Sequence, residues 1–384
     1  MHIGIDASNI RAGGGVTHLC EMLSVAQPNK FNIDKITVWA SQNTLNKLPD
    51  RSWLKPAHDS TLEANSLRRT LWMWRDLDKL AADCDLLYIP GGTYLGRFHP
   101  YVGQLQNMLP FEFRERLRFG LQSRSFWRLM LLSLLQRQTF ARADGVIYVS
   151  EYGRKVVMET TKGVTCPSVV VPHGIADRFF REPRPQKPIS EYSSELPYHL
   201  LYVSIVNVYK HQWQVAEAVG HLRQSGLPVS IDFVGRAVPN SLKRLEEVMD
   251  RYDPERNYMR YHPLVPFEEL HHVYHKADAF VFASTCESIS NIVIEAMASG
   301  LPIACADRSA MPEVLGDAGI YFDPEDLTSI TEAIQSLILN PQQREAYAQS
   351  AFERGHAFSW QRCADETLAF LAQVGHHHKA SPKP

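Results

Sequence analysis

Short runs of valine, isoleucine, leucine and tyrosine alternate with longer helical stretches, and the alternation occurs twice within one chain of 384 residues. In the first half the apolar runs are 2–7, 36–40, 86–89, 102–105 and 146–149. In the second half they are 200–206, 229–234, 279–283 and 302–306, separated by helical patterns at 213–224, 239–252, 267–275 and 292–299. Apolar runs that alternate with helices read as parallel sheets with crossover helices, which excludes all-α and all-β folds. Between the two series lies 181–198, rich in proline, serine and charge, and this reads as a linker. The chain is long enough for two domains, each with its own core. The expected division is 1–182, a linker at 183–197, a second domain at 198–358, a helix at 359–375 packing back on the first domain, and a disordered tail at 376–384.

Four local features invite a chemical reading. In the loop and helix after the run 279–283 stand Glu287, Ser290, Asn291, Ile292 and Glu295, with Gly300 as a helix stop before Pro302. A strand that runs into a loop and then into a helix start offers backbone N–H groups to an anion such as a diphosphate. Glu287 and Glu295 do not share a face; they suit two hydroxyl-bearing parts of one ligand, or else a turn and a helix surface. Lys210 follows the run 200–206, where α/β sheets bind ligands, and its ammonium group suits a phosphate; alone it would read as a solvated lysine. Gly13-Gly14-Gly15 joins the first strand to the first helix and is either a close-approach loop or a tight turn. Residues 112–142 hold seven arginines and no lysine, interleaved with Phe126, Trp127 and many leucines. That segment suits an anionic bilayer surface or a core helix with a solvated arginine face.

The formal net charge is −2, but residues 1–185 carry +7 and residues 186–384 carry −9. A basic first half could face an anionic surface; the plainer reading is two domains that attract each other. The six cysteines are scattered with no C-x-x-C pair, which points to reduced thiols rather than a disulfide frame or zinc site. His271 and His275 share helical spacing, but His272 stands where a metalloprotease motif has its glutamate, so no metal site is expected. No run reaches the roughly 18 apolar residues of a membrane span, and no secretory leader is evident.

Taken together, Glu287 to Glu295 running into Ala296-Met297-Ala298-Ser299-Gly300-Leu301-Pro302 resembles the E-x7-E element of family 4 of the retaining glycosyltransferases. Met311–Pro324 and the turn Val171-Pro172-His173-Gly174-Ile175 resemble further segments of that family, and Gln106-Asn107-Met108-Leu109-Pro110-Phe111 resembles its cleft segment. The resemblance implies an α/β GT-B fold, two Rossmann-like domains facing across a deep cleft. It implies a first domain that binds the acceptor and a second that binds the donor. Glu287 would contact the transferred sugar, Lys210 the diphosphate, and Glu295 the ribose. Backbone N–H groups of Ser290, Asn291 and Ile292 would meet sugar and phosphates, Leu264 and Val265 would lie near the base, and Gly14 and Gly15 would close on the cleft. Gln106, Asn107 and His173 fall on the acceptor side.

The chain departs from the family in two places. Asn207 stands where many members have an arginine, so either Lys210 would act with less help or Arg236 would assist it, and Gln106-Asn107 replaces a histidine. The implied activity is retaining, metal-independent transfer of a hexose-type sugar from a nucleotide diphosphate donor, which is a substrate and not a cofactor. The implied acceptor is a saccharide or lipid-linked saccharide in bacterial surface polysaccharide or lipopolysaccharide synthesis. An anionic membrane contacted through 112–142 is a further expected partner, and nucleic acid is not. The expected location is the cytoplasm, peripheral on the inner face of the membrane. A non-catalytic sugar-nucleotide-binding scaffold, or another enzyme on the fold such as an epimerase, is the competing reading.

Overall fold

The computed structural model describes residues 1–380. Two compact units divide it: Met1–Gly174 with the C-terminal residues from Ser359, and Ile175–Phe358.

The first unit is built on a seven-stranded parallel sheet. Its strands are β1 (His2–Asp6), β2 (Lys35–Trp39), β3 (Leu54–Ala57), β4 (Leu86–Ile89), β5 (Tyr101–Gln104), β6 (Gly145–Tyr148) and β7 (Ser168–Val170), in the order β3-β2-β1-β4-β5-β6-β7. Parallel pairing needs a crossover after each strand, and strands covered on both faces must be apolar throughout. β4 is buried at all four positions, Leu-Leu-Tyr-Ile. The chain builds outward from β1 to β3 and then returns to place β4 on the other side of β1, so the order reverses between β1 and β4. The C-terminal helix Trp360–Ala380 packs on the first helix, Gly14–Val25. It buries Cys363, Ala364, Leu368 and Leu371 in the core of this unit.

The second unit repeats the scheme with six parallel strands: β8 (Tyr198–Val203), β9 (Val229–Val234), β10 (Met259–His262), β11 (Ala279–Phe282), β12 (Ile303–Ala306) and β13 (Ile320–Phe322). Their order is β10-β9-β8-β11-β12-β13, and here the reversal falls between β8 and β11. Two parallel sheets with crossover helices are the α/β architecture that the sequence predicts. All six cysteines are free thiols. Among the described residues no helix is long and apolar enough to cross a membrane.

Two boundaries differ from the sequence reading. The segment 183–197 is not a free linker but part of the second unit. Arg344, fully buried, donates to Gln186 Oε1 at 3.1 Å and to the Lys187 carbonyl, and Arg184 pairs with Asp278 at 3.6 Å. A buried guanidinium needs acceptors, and this stretch supplies a side-chain amide oxygen and a backbone carbonyl. Gly300, at φ +63°, packs against the same stretch; a Cβ there would meet the Arg181 carbonyl at 2.6 Å. The chain therefore passes between units at Gly174–Ile175 and Phe358–Ser359. The tail expected to be disordered from 376 is helical to Ala380, held by Lys379–Asp85 at 2.8 Å and by Gly375 packed on Met1. Residues 381–384 of that expectation lie outside the described residues.

Candidate active site

Open α/β sheets bind ligands where the strand order reverses, beyond the carboxyl ends of the strands. In the second unit β8 leads into the Asn207–Lys210 turn and β11 into the loop that carries Glu287. Lys210 and Glu287 form an ion pair there, and both side chains are largely withdrawn from solvent. Ser284 Oγ donates to the same Glu287 carboxylate oxygen at 2.6 Å. Thr285 N donates to the Tyr209 carbonyl at 2.9 Å and joins the two loops, and Ser309 Oγ, from the loop after β12, accepts from Glu287 N at 3.2 Å. The Tyr202 hydroxyl, rising from β8, donates to the Lys210 carbonyl. The Lys210 ammonium also lies 4.9 Å from the Phe282 ring centroid, an aromatic face that favours a cation.

Ser290 is the N-cap residue of the helix Asn291–Ala298, but its hydroxyl makes no cap bond and is a buried group without a partner. Its carbonyl accepts from Val293 N and Ile294 N at 3.1 Å, so the first amides of the helix, those of Asn291 and Ile292, precede the intrahelical bonds. Glu295, one turn in, is buried and accepts from the Tyr274 hydroxyl at 2.8 Å. Burial pushes its carboxyl up to about 7, against the opposing pull of the Tyr274 hydroxyl and the Arg178 charge. Asn207 folds onto its own turn, its Oδ1 accepting from Val208 N at 2.8 Å. Arg236 is exposed, and its carbonyl accepts from Val206 N at 2.8 Å. Leu264 is exposed; Val265 lines a groove of about 580 Å³ with Arg181, Glu269, His272, His275 and Lys276. The structure thus joins Lys210 directly to Glu287. It sets Glu295 and Ser290 on the adjoining helix and leaves Arg236, Leu264 and Val265 outside that hydrogen-bonded set.

The first unit gathers a second group at its own order reversal. Gly13 at φ +68° starts the helix that contains Gly14 and Gly15, and a Cβ on Gly15 would lie 3.3 Å from Gln106 Oε1. Gln106 Nε2 donates to Gln104 Oε1 at 3.0 Å and lies 3.2 Å from His18 Nδ1. The His18 and His173 rings lie 4.5 Å apart at a tilt of 36°, and burial beside that ring keeps the His18 imidazole well below its ordinary value. Asn107 is not in this group; it is exposed and accepts from Leu109 N.

Sequence reasoning missed Ser284, Tyr202, Ser309, Tyr274, His18 and Asp6. Asp6 closes β1 as a buried acid, which burial pushes up to about 6. A carboxylate ending an apolar run is a legible signal. Nothing in the sequence separates Tyr274 or Tyr202 from ordinary core tyrosines.

Residues 197–340 match the family model described as glycosyl transferases group 1. O-antigen chain mannosyltransferase B of Escherichia coli is 36% identical over 115 residues, 29% of this chain and 29% of that protein. The N-acetylgalactosamine-N,N'-diacetylbacillosaminyl-diphospho-undecaprenol 4-alpha-N-acetylgalactosaminyltransferase of Campylobacter jejuni is 29% identical over 99 residues, 25% of this chain and 27% of that protein. The match to each of these relatives thus spans less than a third of its length. Sucrose-phosphate synthase of Thermosynechococcus elongatus superposes with a TM-score of 0.75 at 15% identity, covering 98% of this chain and 100% of that one.

Proposed function

We propose, from the premise that the chain has the GT-B fold and carries a group 1 glycosyl transferase domain over residues 197–340, that it transfers a hexose-type sugar from a nucleotide diphosphate donor bound by its second unit. The observation that carries this reading is the Lys210–Glu287 pair at the order reversal of the second sheet, with Glu295 a turn into the next helix. A leaving diphosphate gains negative charge while the anomeric carbon becomes cation-like. The Lys210 ammonium and the helix start at Ser290–Ile292 would stabilise that charge. Lys210 and Glu287 are paired; in this reading the diphosphate would take the ammonium and Glu287 would turn toward the sugar hydroxyls. Glu295, with its high proton affinity, would serve the ribose hydroxyls as both donor and acceptor. Transfer with retention, by front-face attack and without a metal ion, is the mechanism this arrangement suits.

The acceptor in this reading is a saccharide, lipid-linked, in the synthesis of a bacterial surface polysaccharide or lipopolysaccharide, at the inner face of the cytoplasmic membrane. The relatives named above support it, since their names concern O-antigen and a diphospho-undecaprenol acceptor. Gln106 and His173 would form the acceptor side, with Gly14 and Gly15 as the phosphate loop. The test is thermal stabilisation by UDP-, GDP-, dTDP- and ADP-linked sugars, with and without EDTA, on the parent and on Glu295→Ala. One nucleotide class should stabilise the parent, regardless of EDTA, and should fail with the variant. Stabilisation by none of them, or equal stabilisation of the variant, overturns the donor-site assignment.

A further inference from the structure

The helix Arg124–Arg142 is patterned inside out. Its buried side includes Ser133, Gln136 and Thr139 beside Phe126, Leu129 and Phe140. Trp127, Leu131 and Leu134, at helical spacing i, i+4 and i+7, are each more than half exposed. Burial of apolar surface should work the other way round in a helix whose outer face meets only water. The helix Ser66–Arg75 repeats the pattern: Leu67, Leu71 and Trp74, again at i, i+4 and i+7, are more than half exposed.

The topology sets both helices on one face of the first sheet. The connections β3 to β4 and β5 to β6 run in the same direction across the sheet, opposite to β1 to β2. Right-handed crossovers therefore place the Ser66 and Arg124 helices together and the Gly14–Val25 helix on the other side. A side-chain relay ties them: the Tyr94 hydroxyl donates to Asp78, just after the Ser66 helix, and Tyr94 N donates to Thr139 Oγ1 on the Arg124 helix at 2.9 Å. Charge follows the same layout. Neither helix contains an acid. Arg116, Arg118, Arg137 and Arg142 are engaged inside the unit, to Pro110 O, Glu115, Thr160 O and Gly96 O. Arg114, Arg124 and Arg128 are exposed, as is Arg68 on the Ser66 helix.

We infer that these two helices form one docking platform for an anionic lipid bilayer, with the tryptophans and leucines entering the headgroup–acyl boundary and the exposed arginines pairing with lipid phosphates. A second copy is the poorer occupant, because a symmetric pairing would set arginine against arginine with no acid on either helix to answer it. The inference deepens the lipid-linked acceptor reading, and its meaning for catalysis rests on that reading, but the docking itself requires no turnover.

The test is flotation of the full chain with phosphatidylcholine vesicles containing or lacking phosphatidylglycerol. Two apolar variants are compared with the parent: Leu67→Ser/Leu71→Ser/Trp74→Ser and Trp127→Ser/Leu131→Ser/Leu134→Ser. All six residues are solvent-exposed, so both variants should fold, and urea unfolding monitors this independently of any donor. The parent should float with anionic vesicles only, less so at high salt. Each triple variant alone should reduce partitioning about tenfold or more, and replacing Arg68, Arg124 and Arg128 with glutamine should do so by roughly fivefold per arginine. A Ser66-helix variant that floats like the parent overturns the two-helix platform. So does a parent that ignores anionic vesicles, or one that dimerises reversibly through this face in light scattering. A parent that fails to float with anionic vesicles while a donor still stabilises it refutes docking alone. A parent that floats but is stabilised by no donor refutes the donor reading alone.

Discussion

Glu295→Gln tests the chemistry of the second unit through stability and needs no knowledge of the donor. The Glu295 carboxyl is fully buried, and its proton affinity is raised from an ordinary value of 4.5 to about 7. A carboxylic acid raised on folding favours the folded state while it is protonated. Its contribution is intact below about 4.5, falls as pH climbs toward 7, and above that leaves a constant penalty, because the folded chain must then hold a buried charge that the unfolded chain solvates freely. Moving a carboxyl from 4.5 to about 7 corresponds to about 3 kcal/mol at alkaline pH. Glutamine keeps the shape and can still accept from the Tyr274 hydroxyl, but it does not titrate. Urea unfolding of parent and variant from pH 5 to 8.5 should therefore show nearly equal stabilities at pH 5. The variant should gain steadily to about 3 kcal/mol at pH 8.5, while histidines that titrate in both proteins cancel in the difference. Parallel pH curves would refute the reasoning, since they would mean that Glu295 ionises at no cost and is not a buried, proton-holding group.

Other outcomes follow from the same contacts. Lys210→Met leaves Glu287 without its cation in a largely dry loop and should cost about 3 kcal/mol, most of it regained in Lys210→Met/Glu287→Met; additive urea-unfolding losses would show that the pair is not coupled. The same lysine variant should lower donor turnover by about 100-fold or more, read as nucleotide release at saturating donor. Gly300→Ala must force an alanine to φ +63° and against the Arg181 carbonyl, and should lose about 2 kcal/mol in the same assay. EDTA should leave turnover within error of the untreated protein, and a loss restored by Mg²⁺ or Mn²⁺ would contradict the metal-independent mechanism.

The interior of each sheet was legible in the sequence and its edges were not. The strands missed were β3, β7, β10 and β13, which are the two outer strands of each sheet. Leu54–Ala57 carries Lys55 and Pro56, and Met259–His262 carries Arg260 and His262, residues an edge tolerates and a periodicity reading discounts. Central strands such as β4 and β11 are buried on both faces and read as unbroken apolar runs. The linker was misplaced because a proline- and charge-rich segment looks free until the buried Arg344 that it satisfies comes from more than a hundred residues away. Lys210 and Glu287 could be named from their places after strands, but their pairing is a contact across 77 residues. The partners that tune the site, Tyr274 beneath Glu295 and Tyr202 beneath Lys210, are ordinary core tyrosines until the fold sets them there. The arginine-rich segment had two readings, and the exposures of Trp127, Leu131 and Leu134 separate the outer face from the core face.

The central claim is that this chain moves a sugar from a nucleotide to a lipid-linked acceptor using Lys210 and Glu287. The most direct measurement is transfer of radiolabelled sugar from each of the UDP-, GDP-, dTDP- and ADP-linked donors into the organic-extractable fraction of bacterial membranes, by the parent and by Lys210→Met. Label from one nucleotide class should enter the lipid fraction with stoichiometric nucleotide release, and should fall at least about 100-fold with the variant. Label transferred equally well by the variant, or no transfer and no nucleotide release from any donor, would contradict it.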